Sequence, residues 1–85
     1  MIREALDARQ LSSLIVDCAE MAEDRAMDSE VREIAHDFEI EFLFVIAHKR
    51  LLASPEERTW IEVDEADLRR RVVTFLCLVR AGESY

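Results

Sequence analysis

The sequence predicts an all-α protein, a small bundle of three main helices plus a short helical turn. Two observations support this fold class. One glycine and one proline in 85 residues leave little material for β-turns. Good helix formers are plentiful, and apolar residues recur at helical spacing along most of the chain. At this length we expect a single domain, residues 1–85, that buries only about 60–65% of the surface its unfolded form exposes.

The first predicted helix covers about residues 3–25. Leu11, Leu14, Ile15 and Cys18 recur at the spacing of one helical face, while charged residues occupy the opposite side. This pattern is typical of an amphipathic helix that packs against a core.

The second predicted helix covers about residues 29–53. Asp28 or Ser29 can cap its first turn with a side-chain oxygen. Ser54 can then cap a short helical turn over about residues 55–60, because proline follows at the first helical position and a glutamate completes a capping box.

The third main helix is predicted over about residues 65–81. Residues 59–63 are rich in β-branched and aromatic side chains, and Asp64 can serve as a new N-cap, so we expect a break before this helix. Leu68 begins a strong apolar stripe, and Gly82 stands where a C-terminal cap belongs.

The middle of the second helix is apolar on two opposite sides. One side carries Phe38 and Phe42 and is expected to face the core. The other side carries a stripe spaced i, i+4, i+7, i+11: Ile40, Phe44, Ala47 and Leu51. A helix that is apolar on both sides must be covered on both. We expect a homodimer to complete the bundle through this stripe; in the alternative, residues 60–63 cover it within a monomer.

The net charge of −8 lies entirely in residues 1–48. Such a surface should repel nucleic acid, so we expect no direct nucleic-acid binding. Two acidic lines on the first two helices could instead form a face for a basic protein: Asp17, Glu20, Asp24, Glu30, Glu33 and Asp37. The alternative function is therefore an acidic inhibitor or nucleic-acid mimic that occupies a basic surface of its target.

Residues suited to catalysis or metal binding are sparse. Glu33 and His36 have the ExxH spacing that supplies ligands to di-iron bundles, which makes a metal-binding bundle the third hypothesis. Helical geometry places both opposite the core side of the helix, whereas bundle ligands project inward. Neither cysteine is near a histidine in sequence, and no glycine-rich loop can hold a phosphate. We expect no enzymatic activity, no cofactor and no metal.

The sequence shows neither a signal-peptide pattern nor a membrane-spanning pattern. Its first ten residues lack the basic region and apolar stretch of a signal peptide, and no apolar run approaches the roughly 20 residues of a membrane span. We expect a cytoplasmic protein that does not bind membranes. The leading hypothesis is a non-enzymatic interaction or regulatory module of bacterial or phage type, which binds itself and another protein through apolar helix surfaces.

Overall fold

The computed structural model describes residues 2–51 and 54–83. These residues form four α-helices and no strands: α1 (Ile2–Asp7), α2 (Leu11–Glu23), α3 (Ser29–Leu51) and α4 (Pro55–Glu83). The all-α prediction is confirmed. The last two residues of the second predicted helix, 52 and 53, lie outside the described residues.

The predicted helix over residues 3–25 is wrong in one respect, because the chain breaks shortly after Asp7 to give α1 and α2. Arg69 of α4 reaches this break and donates hydrogen bonds to the backbone carbonyl oxygens of Asp7 (3.0 Å) and Arg9. Carbonyls at a helix end lack partners within the helix, so Arg69 satisfies groups that the break exposes. The break also turns α1 onto α4, which buries Leu6.

The predicted break before the third main helix is absent, and the turn at 55–60 is the beginning of one long helix, α4. Ile61 is buried, so packing favours the helical conformation that local propensity disfavours. The hydroxyl of Thr59 donates to the carbonyl oxygen of Pro55 at 3.2 Å, which gives this side chain a partner within the helix.

Short connections make successive long helices antiparallel. Asp28 caps α3 as predicted, because its side-chain oxygen accepts a hydrogen bond from the backbone N–H of Glu30 at 2.8 Å. Between α3 and α4, the rings of Phe38 and Phe75 lie 5.4 Å apart in a tilted arrangement typical of aromatic pairs.

The core gathers buried side chains from all four helices: Leu6, Leu11, Leu14, Ile15, Cys18, Ala35, Phe38, Leu68, Val72, Val73 and Leu76. It lies toward one end of the molecule, because its buried members reach only to Phe38 along α3 and begin at Leu68 in α4. α2 has 13 residues and α4 has 29, which correspond to about 20 Å and 43 Å of helix. The longer helices therefore extend past the core as a two-helix arm, residues 40–51 and 55–66.

Candidate interaction surface

The predicted apolar stripe of α3 lies on the arm and is open to solvent. Ile40 is 40% exposed, Phe44 62% and Leu51 78%. Ala47 is exposed between them. No helix of the described chain covers this stripe, so its four side chains form a solvent-exposed apolar row.

Three further apolar side chains are exposed on the arm, and the sequence reasoning missed them as part of this surface. Leu43 lies beside the stripe on α3, while Trp60 and Val63 project from α4. Trp60 is 71% exposed. The residues 60–63 therefore contribute Ile61 to the interior of the arm and leave their other apolar side chains outside. The i, i+3 spacing of Trp60 and Val63 is the signal that places them on one side of a continuous helix.

A groove of about 290 Å³ lies between α3 and α4 where the arm meets the core. It is lined by Glu41, Phe44, Val45 and His48 of α3 and by Asp64, Asp67, Leu68 and Arg71 of α4. The guanidinium of Arg71 donates to both carboxylate oxygens of Glu41, at 2.9 and 3.0 Å, and so ties the two helices together at the groove. Apolar side chains and carboxylates thus share one open groove.

The groove belongs to the side of the α3–α4 pair that faces away from α2, which we call the outer face. Arg80 marks the opposite side of α4, because it reaches α2 and donates to Asp17 at 3.4 Å. Trp60 and Leu78 are five helical turns apart and project in the same direction, away from Arg80. Leu78 is 68% exposed. The outer face therefore carries exposed apolar side chains near both ends of α4.

The predicted acidic face is less uniform than its sequence pattern. The carboxylate of Asp17 is half-buried and accepts hydrogen bonds from Arg9, at 2.6 Å, and from Arg80. The hydrogen bond from Arg9 lowers the pKa of Asp17, which keeps this carboxyl ionised and its charge compensated. The other five predicted residues are exposed: Glu20, Asp24, Glu30, Glu33 and Asp37.

The residues considered for metal binding and nucleophilic chemistry do not gather into one site in the part of the chain that the structure describes. His36 is exposed, and its Nδ1 atom lies 3.2 Å from a carboxylate oxygen of Glu39. Across residues 2–51 and 54–83, no group of three or more His, Cys, Asp or Glu side chains is placed to hold a metal ion. Cys18 is buried in the core, and burial raises the pKa of its thiol to about 12.

Comparisons with known proteins add no identity. No family model, curated protein or solved structure matches this chain at a significant level. Within the part of the chain that the structure describes, no helix combines the length and apolar character needed to cross a membrane. The exposed residues of the arm and of the outer face are therefore the basis for inferring a function.

Proposed function

We propose that this protein is a non-enzymatic helical interaction module that pairs with a second copy of itself through the outer face of the α3–α4 pair. The observation that carries this proposal is the exposure of six large apolar side chains on one short arm: Ile40, Leu43, Phe44, Leu51, Trp60 and Val63. Monomeric proteins rarely expose contiguous apolar patches beyond about 300–600 Å², and larger patches mark association sites.

The small core of the monomer gives association a further role. Apart from Ile61, the buried residues occupy one end of the molecule, so the arm depends on contacts between only two helices. Below about 70–80 residues a single core rarely supplies more than about 3–5 kcal/mol, and this chain is only slightly longer. A second copy that covers the arm therefore stabilises the part of the fold with the least internal packing.

The outer face is large enough to form a stable interface. A standard interface covers about 800 Å² on each partner, roughly an eighth of the 6198 Å² that the chain exposes. The outer face extends along α4, which is about 43 Å long. We propose that the dimer is the functional unit. The surfaces outside the dimer interface would then bind another protein.

The proposal is tested by comparing two variants that each replace an exposed apolar residue with glutamate. Phe44→Glu places a charge at the centre of the outer face, whereas Val16→Glu places one at an exposed apolar position on α2, away from that face. We expect Phe44→Glu to raise the dimer dissociation constant by at least about a hundredfold, since it removes apolar burial and leaves a charge to be desolvated.

Val16→Glu should dimerise like the native chain. Sedimentation velocity over a range of concentrations measures both dissociation constants, and circular dichroism checks that each variant keeps its helicity. Equal dissociation constants for the two variants would place the interface elsewhere.

A further inference from the structure

The exposed side of α4 carries a seam with coiled-coil spacing. Its members recur at intervals of four, three, four, three and four residues: Trp60, Asp64, Asp67, Arg71, Thr74 and Leu78. Alternating intervals of four and three residues are those of the a and d positions at which two helices pack along each other. These side chains are exposed or partly exposed on the outer face, so the seam faces solvent in a single chain.

The order of apolar and charged residues along this seam is nearly the same in both directions. An apolar residue stands at each end, and acidic and basic residues lie side by side near the centre. Reversing the direction of the helix about residue 69 places Trp60 opposite Leu78 and Asp67 opposite Arg71. A surface that matches itself after a half-turn is what a twofold-symmetric interface requires.

The opposite orientation of two seams is much less favourable. Parallel pairing in register would set Asp67 against Asp67 of the second copy and Arg71 against Arg71. Like charges placed directly opposite each other are destabilising, whereas the antiparallel arrangement sets each Asp67 carboxylate against the Arg71 guanidinium of the other copy. Charge thus selects both the direction and the register of the pair.

The central charges already form ion pairs within one chain. Asp67 accepts hydrogen bonds from Arg70 and from the Nε atom of Arg71, the latter at 3.0 Å. Arg71 also donates to both carboxylate oxygens of Glu41, and the side chains of Asp67 and Arg71 are each still 44% exposed, so a second copy can reach them. Since ionised groups that leave water need new partners, an incoming copy must bring the complementary charges, and the seam supplies them.

We infer that two copies pack α4 against α4 in antiparallel orientation, with the twofold axis near Arg69, and this inference rests on the proposed homodimer. Trp60 of each copy covers Leu78 of the other and supplies most of the apolar burial. Asp67 and Arg71 pair across the axis and fix the register. Phe44 lies beside the seam on α3 and widens the contact.

The test uses two complementary charge variants and their mixture. In Asp67→Lys both central seam positions are basic, and in Arg71→Glu both are acidic, so each variant should repel a copy of itself. We expect each homodimer dissociation constant to rise on the order of a hundredfold.

An equimolar mixture of the two variants restores opposite charges across the axis and should return a heterodimer of nearly native affinity. Neither chain regains its internal Asp67–Arg71 pair in the mixture, so only a contact between chains can produce this recovery. Native mass spectrometry identifies the heterodimer, and sedimentation velocity gives its affinity.

Glu62→Lys is the matched control, because it makes the same charge change at an exposed position of α4 outside the seam. It should dimerise like the native chain and should not restore dimers when mixed with Arg71→Glu. If Arg71→Glu loses helicity, Arg71→Gln replaces it, since it removes the seam cation without placing a new carboxylate beside Glu41.

The outcomes separate this inference from the proposed function. A native dimer with no loss in either charge variant, or with no recovery in the mixture, overturns the antiparallel α4 pairing and leaves a homodimer through another part of the outer face. A native chain that stays monomeric at about a hundred micromolar overturns both.

Discussion

Trp60 is the only tryptophan of the chain, and its removal should weaken self-association strongly. A tryptophan side chain presents up to about 250 Å², and Trp60 is 71% exposed, so on the order of 150 Å² can still be covered. At about 25 cal/mol per Å², covering half of that area contributes ~2 kcal/mol per copy and ~4 kcal/mol per dimer. Trp60→Ala should therefore raise the dimer dissociation constant about a thousandfold.

The loss of translational freedom on association is common to the native and variant chains, so it cancels in this comparison. Sedimentation velocity measures the two dissociation constants. The native protein offers a second readout, because the emission of Trp60 should move to shorter wavelength as rising concentration drives dimer formation. An unchanged dissociation constant in Trp60→Ala, or constant native emission across a monomer–dimer transition, would refute the placement of Trp60 in the interface.

Three further predictions concern the monomer itself. Leu68→Ala removes a fully buried core side chain and should lower the free energy of unfolding by about 2–5 kcal/mol in chemical denaturation; a loss below about 1 kcal/mol would contradict its place in the core. Arg9 lowers the pKa of Asp17, so Asp17 stabilises the fold above its unfolded pKa of about 4 and loses that contribution as pH falls through its lower folded pKa. Asp17→Asn should therefore cost about 1 kcal/mol at neutral pH, and its deficit should shrink toward zero as the pH is lowered through the acid range; a deficit independent of pH would contradict the pairing. Burial raises the pKa of Cys18 to about 12, so a thiol reagent should label the half-buried Cys77 first, and equal labelling rates would argue against the packing around Cys18.

The fold class could be predicted because it depends on local signals that the sequence displays directly. Glycine and proline are nearly absent, and the apolar positions of α2 and α3 follow the helical period. The Asp28 cap of α3 is likewise local. It needs only a side-chain oxygen that accepts a hydrogen bond from the backbone N–H two residues later, in Glu30. Such features do not depend on the rest of the fold.

The two errors in helix boundaries have tertiary causes. No glycine or proline marks the break after Asp7, and the group that supports it, Arg69, comes about sixty residues later in the chain. The expected break before residue 65 followed the low helix propensity of β-branched residues, but burial of Ile61 outweighs that local preference. Neither contact can be inferred from residues near the break.

Part of the candidate interaction surface could be predicted from the sequence for the same reason. The stripe through Phe44 follows a period along one helix, so the sequence shows it, and the structure places it at the surface. Local propensity places Trp60 in a separate short turn, and this hides its alignment with Leu78 along one continuous helix. Ordinary helical spacing reveals the α4 seam only after the continuity of that helix is known.

The absolute molar mass of the native chain in solution shows directly whether two copies associate. Light scattering after size exclusion, at several loading concentrations in the micromolar range, gives this mass without assumptions about shape. We expect a species of about twice the 9.9 kDa chain mass that dissociates on dilution. A mass that stays at 9.9 kDa at every concentration would contradict self-association through the outer face.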